Sequence, residues 1–218
     1  DSFVPVASEA DLREDAANYP GWLRERYLEL PESLPDRVSA LARDLTATAA
    51  TPYERARPIQ AYLRKLPYSL DVSTPPRDRD VVDYFLFDLQ TGYCDYYASA
   101  MVVLARAAGL PARLAVGYAS GTYEADEGRY VVTEADAHAW PEVYFPAYGW
   151  VPFEPTAARP LLERAGEGKA EWIEPTGELG GVARVCGRAA VGAGVQRGAV
   201  GVDQRPAGQA LRHVALTE

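Results

Sequence analysis

Four short strand-like runs, Arg113 to Tyr118, Arg129 to Thr133, Ala137 to Phe145 and Trp150 to Phe153, follow one another across turns that contain Gly, Asp and Pro. No gap between them is long enough for a crossover helix, so the sheet they form must be antiparallel. Helical signals dominate upstream. Helices first and an antiparallel sheet afterwards is an α+β arrangement, with the N-terminal helices packed on the sheet.

The helical half is clearly punctuated. Ser33-Leu34-Pro35-Asp36 predicts a helix start with Ser33 as cap and Asp36 at the third position, and Val38, Leu41 and Leu45 follow at helical spacing to about Thr48. Thr51-Pro52-Tyr53-Glu54 repeats the device: Thr caps, Pro suits the first helical position and Glu closes a capping box on a helix running from Pro52 to about Lys65. Val72 to Arg79 is a Pro-rich connector without regular structure. From Val81 the chain turns apolar through Phe85-Leu86-Phe87 and reaches Thr91-Gly92-Tyr93-Cys94. It continues with Ala98, Met101, Val102, Leu104 and Ala105, which predicts a buried helix beginning at or just before Cys94 and stopped by Gly109 ahead of Pro111.

A length of 218 residues suits one well-cored domain with additions. Residues 1–22 read as a lead-in segment of little periodicity, 23–176 as the catalytic domain, and 177–218, dominated by Gly, Ala, Val and Arg with no aromatic residue, as a poorly ordered tail. Arg residues spread through the apolar runs of that tail argue against a membrane span. No apolar run reaches eighteen residues, and Asp1-Ser2-Phe3 has neither an initiator Met nor a signal-peptide layout, which suggests a soluble part excised from something longer. Twenty-two basic against thirty-one acidic side chains give a net charge of −9, which disfavours nucleic acid and anionic lipid as partners. With only two cysteines, Cys94 and Cys186, and two histidines, His138 and His213, a tetrahedral zinc site would need all four, so no metal or other cofactor is expected. Nothing in the spacing demands a disulfide, and both cysteines read as free thiols.

Cys94 stands where a catalytic thiol should stand, at the first turn of a core helix, because unpaired N–H groups and the helix dipole favour a thiolate there. Its own N–H is one donor to an oxyanion, and Gln90, four residues upstream, is a candidate for the second. In Asp136-Ala137-His138-Ala139-Trp140, strand alternation puts His138, Trp140, Glu142 and Tyr144 on one face, and an imidazole projecting there can serve the thiol as base. A carboxylate should orient that ring. Glu154, across the tight Pro146-Ala147-Tyr148-Gly149 turn, fits; Asp136 is the rival and would more naturally buttress its own loop. Tyr97 and Trp140 read as supporting residues, with Trp140 placed to wall an acyl site.

These residues also carry a resemblance to the bacterial branch of the transglutaminase-like superfamily, which is distantly related to papain. It rests on Gly92-Tyr93-Cys94-Asp95-Tyr96-Tyr97-Ala98-Ser99-Ala100, Gly109-Leu110-Pro111-Ala112-Arg113, Val116-Gly117-Tyr118, Asp136-Ala137-His138-Ala139-Trp140 and Gly149-Trp150-Val151-Pro152-Phe153-Glu154-Pro155-Thr156, and spans about Leu23 to Thr156. The resemblance implies a Cys-His-carboxylate triad that attacks a glutamine-like amide, releases ammonia and passes the acyl group to an amine or water. Two departures stand out. Glu154 replaces the family's commoner Asp, and Pro141, where Val is more frequent, lacks an N–H and so predicts an edge strand or a bulge.

Each residue also has a plainer reading. A Cys on an apolar helix is more often a small hydrophobe, a strand His more often simply hydrogen-bonded, and Glu154 before Pro155 could be a solvated turn carboxylate. Glu124, Asp126, Glu127 and Glu134 match no calcium loop and read as a solvated hairpin tip, while Cys186 and His213 read as inert. Function therefore divides between a glutamine acyltransferase, a cysteine peptidase or deamidase using the same triad, and a non-catalytic binding or assembly domain that keeps the fold. The first implies a protein or peptide substrate and an amine acceptor. Family habit adds an extracytoplasmic domain on a membrane-anchored bacterial parent polypeptide.

Overall fold

A computed structural model describes residues 7–165 of the chain. Six α-helices, α1 (Glu9–Glu14), α2 (Gly21–Tyr27), α3 (Asp36–Thr46), α4 (Pro52–Leu63), α5 (Val81–Tyr84) and α6 (Cys94–Ala107), precede five strands, β1 (Ala112–Tyr118), β2 (Thr122–Glu124), β3 (Arg129–Val131), β4 (Ala137–Phe145) and β5 (Gly149–Pro152). The α+β order expected from the sequence holds. β2 was not expected; it is a three-residue exposed strand that pairs with β3 and carries too little pattern to be read alone.

Local chemistry explains most helix ends. In α4 the Thr51 hydroxyl accepts the Glu54 N–H while the Glu54 carboxylate accepts the Thr51 N–H, so two otherwise orphaned donors are satisfied reciprocally. α3 starts later than the sequence suggests. Pro31–Leu34 closes a turn of its own, so Ser33 caps nothing and Asp36 becomes the first residue of the helix after Pro35. α6 ends as expected, with Gly109 at φ +78°, a left-handed conformation that glycine adopts without steric cost.

The segment before residue 23 does more than lead in. Ser8 and Asp11 form a capping box on α1, and Leu12 is fully buried in the core that α3, α4 and α6 share. One leucine in a six-residue helix is too short a pattern to announce itself. Residues 177–218, with Cys186 and His213, lie outside the described residues.

The main sheet has the order β1-β4-β5, antiparallel throughout. Along β4, Ala139, Pro141, Val143 and Phe145 are buried while His138, Trp140, Glu142 and Tyr144 are only partly so, which confirms the expected alternation. The buried side meets α6 and α4, where Tyr53, Phe145 and Phe153 pack as an aromatic cluster. Pro141 breaks the expectation drawn from it, because β4 is the central strand and its register against β1 runs unbroken through Leu114↔Pro141. The Pro141 carbonyl accepts the Phe153 N–H, so its main-chain polar groups face β5, one step past that strand's last residue. The missing donor therefore falls where the ladder ends, and no central hydrogen bond is lost.

Candidate active site

α6 begins at Cys94 with Tyr93 before it, and no side chain caps this terminus. The N–H groups of its first turn are those that a helix leaves without internal partners. The loop that delivers Cys94 is fastened to the chain after α4: the Ser69 N–H donates to Gly92 O at 2.8 Å, the Thr91 hydroxyl to Pro67 O at 3.0 Å, and the Tyr97 hydroxyl to Leu66 O at 2.7 Å. Gly92 is required by space, since a Cβ there would come within 3.0 Å of the Tyr96 ring.

Tyr97 is fully buried, and burial, with Tyr68 adding to it, pushes its hydroxyl up to about 12. It is a fixed donor that anchors the loop rather than a group facing the thiol. Gln90 closes a π-helical turn, Phe85–Leu89, with φ 51°, and is exposed. An oxyanion role for it stays a proposal. Cys94 is a half-buried free thiol whose sulfur lies 3.6 Å from Asp95 Oδ1.

His138 stands opposite Gly117 of β1, and the Trp140 ring stacks near it at 6.1 Å between centroids. Trp140 also covers Gly117, where a Cβ would meet it at 3.2 Å. His138 Nε2 is 2.6 Å from Glu154 Oε2, with both side chains 7% exposed. Burial by itself lowers the ring's affinity for a proton, but hydrogen bonds to Cys94 and Glu154 and the charges of both outweigh it, and the pKa rises from 6.5 to about 9. With Nε2 engaged by Glu154, Nδ1 is the nitrogen left to act on the sulfur. The fold thus brings Cys94, His138 and Glu154 together from three distant positions in the chain.

Asp136, the rival orienter, sits in a 3-10 turn and accepts from Thr133 N (2.8 Å) and Thr133 Oγ1 (2.9 Å). These bonds, the backbone one first, hold its carboxyl below the ordinary range. It buttresses its own loop. Glu124 and Glu127 pair with Arg129 on the exposed β2–β3 hairpin.

The extra methylene of Glu154 is taken up locally. Its Oε1 turns back to accept the Thr156 N–H at 2.9 Å, across Pro155, which has no N–H of its own. Two residues not expected at the site hold this segment: Gln60 Oε1 accepts the Glu154 N–H at 3.1 Å, and Arg64 donates to the carbonyls of Glu154, Thr156 and Arg159 at 3.0, 2.8 and 2.8 Å. One signal was available. Tyr53, Ala56, Gln60 and Leu63 form the buried stripe of α4, and Gln60 is its polar member.

A thiol at an uncapped helix terminus, an imidazole on a central strand and a carboxylate beyond the next strand thus stand together on an α+β fold. Residues 39–155 match the model of the transglutaminase-like superfamily, and the chain belongs to that family. It is 45% identical over 152 residues to YebA of Bacillus subtilis, covering 66% of this chain and 20% of YebA. Over 156 residues it is 37% identical to a protein-glutamine gamma-glutamyltransferase of Pseudomonas aeruginosa, covering 69% of this chain and 23% of that protein. The crystal structure of the periplasmic domain of TgpA from Pseudomonas aeruginosa superposes with a TM-score of 0.57 at 34% identity, over 64% of this chain and 48% of that one. The chain thus spans about a fifth of the length of the curated relatives it matches. The family includes thiol-dependent acyl-transfer enzymes.

Proposed function

We propose that this chain is a thiol-dependent acyl-transfer domain acting on glutamine-type side-chain amides. The observation that carries the reading is a His138 ring held by Glu154 at 2.6 Å and acted on by Cys94, which stands at an uncapped helix N-terminus. His138 takes the thiol proton and the thiolate adds to the amide carbon. The developing oxyanion faces the Cys94 N–H, with Gln90 as the proposed second donor. The imidazolium then returns its proton to the departing nitrogen, ammonia leaves and a thioester remains on Cys94. An amine, or water, attacks the thioester while His138 removes its proton, and the thiol is regenerated.

The name of the Pseudomonas relative supports glutamine as the acyl donor and a primary amine as acceptor. Peptidase and deamidase chemistry pass through the same acyl-enzyme and differ in what meets it. The TgpA neighbour, a periplasmic domain, supports an extracytoplasmic location. Among the described residues no helix is long and apolar enough to cross a membrane.

Iodoacetamide labelling from pH 4 to pH 9, with Cys94→Ser, Cys186→Ser and His138→Ala alongside, tests the thiol. Rapid labelling at low pH that vanishes with Cys94→Ser and takes an ordinary thiol profile with His138→Ala is expected. Incubation with a glutamine peptide, with and without a primary amine, then separates transfer from hydrolysis. A Cys94 that labels no faster than Cys186 would leave the binding-domain reading in its place.

A further inference from the structure

The carboxylate that orients His138 is borne by a stretch of chain that no strand holds. β5 ends at Pro152, and Pro141 offers no N–H to carry the ladder further along β4. Helix α4 takes over. Gln60 receives the Glu154 N–H, and Arg64, the residue that ends α4, holds the Glu154 and Thr156 carbonyls on either side of Pro155 and the Arg159 carbonyl beyond. The two side chains are four residues apart, which places them on one helix face. Gln60 is only 9% exposed, so its loss would leave the Glu154 N–H buried and unpaired. The hydrogen bonds of the Arg64 guanidinium go to main-chain carbonyls, a pattern that constrains the path of the chain.

We propose that Arg64 and Gln60 are positioning residues for the active site, clamping the main chain around Pro155 so that Glu154 is aimed at His138. The kinetic part of this inference rests on the acyl-transfer reading; the structural part does not. Glu154 is fixed at its N–H, its carbonyl and, through Thr156, one carboxylate oxygen, which leaves Oε2 a single direction toward Nε2. The groups that bear on the ring are Cys94, Glu154 and the Trp140 face, while Asp136 is tied to Thr133. Loosening the clamp removes Glu154 as partner and leaves the rest in place.

The 218-residue chain has only two histidines, so the His138 ring can be titrated in it by NMR, with His213→Gln to assign the signals. The wild-type midpoint is expected near about 9. Arg64→Ala and Gln60→Leu should each move it toward 6.5, Glu154→Gln at least as far, and Arg64→Lys should restore part of the shift. Arg64→Ala should add little once Glu154 is Gln, because both act through the same carboxylate. Turnover of a glutamine peptide should fall about tenfold or more in kcat with KM little changed. An unmoved midpoint in Arg64→Ala, or a shift as large in the Glu154→Gln background as alone, would overturn the proposal. Should Arg64→Ala not fold, Gln60→Leu and Arg64→Lys are read against the same two criteria. Because the titration needs no substrate, a shifted midpoint in a chain that turns over no amide would sink the acyl-transfer reading alone, and an unshifted one in an active chain would sink the clamp alone.

Discussion

His138 Nε2 and Glu154 Oε2 lie 2.6 Å apart although Glu154 lies beyond the last residue of β5, so the orienting contact is made by a segment that has left the sheet. Its backbone is held from α4, and the side chain's extra length closes on Thr156.

This contact makes the chain's behaviour pH-dependent in a definite direction. The folded pKa of His138 is raised from 6.5 to about 9, so its contribution to stability is fully present below 6.5 and is lost as pH rises through about 9. Thermal melts at pH 6 and pH 9.5 should show a lower Tm at the higher pH, and His138→Gln should remove that part of the difference. In kcat/KM the loss of the imidazolium should appear as an alkaline limb near about 9, moving toward 6.5 in Glu154→Gln.

Shortening the carboxylate should harm rather than help. An Asp at 154, on a main chain held by Gln60 and Arg64, cannot reach both the Thr156 N–H and His138 Nε2. Glu154→Asp is expected to lower kcat by about 10- to 100-fold with Tm little changed, as steady-state kinetics and calorimetry would show. Activity equal to wild type would mean that the segment is free to move toward the ring.

Gly92→Ala probes the loop that presents the thiol. Its Cβ would fall 3.0 Å from the Tyr96 ring, which itself packs against Phe85 and Tyr93. A loss of about 1–3 kcal/mol in urea unfolding is expected, with slower alkylation of Cys94. A substitution absorbed with no change in either would show that Tyr96 has room to turn.

Away from the site, Asp83 is 3% exposed and bonded by Arg37 and Arg79, which also share Asp88. The Arg37 hydrogen bond holds the Asp83 carboxyl below its ordinary 3.8 against the opposing effect of burial. Stability from this group is therefore present above 3.8 and is lost as pH falls through its lower folded pKa. Asp83→Ala should cost about 1.5 kcal/mol by chemical denaturation at pH 7, since it removes a buried acceptor shared by two guanidinium groups and leaves them only Asp88. A cost below about 1 kcal/mol would mean that Asp88 serves both arginines alone.

Much of the architecture was legible because its causes are local. The Thr51–Glu54 capping box, the stop of α6 at Gly109 and the two-residue alternation through His138 and Trp140 each depend on residues a few positions apart. Cys94 and His138 could be read for the same reason, one from a helix start and the other from a strand face. Leu12 and β2 escaped because each offers too short a pattern to stand out.

What the chain order alone settled was where α3, α4, α6 and the strands of the main sheet lie, that the sheet is antiparallel, and which side chains could bear the chemistry. Only the tertiary structure decided that Pro141 lies on the central strand at the end of a ladder, that Asp136 is tied to Thr133 while Glu154 faces the ring, and that Gln60 and Arg64 hold Glu154 in place. The physical reason is distance along the chain. Gln60 and Arg64 meet Glu154 across 94 and 90 residues, and such contacts are set by how helices stack on the sheet rather than by any pattern between neighbours.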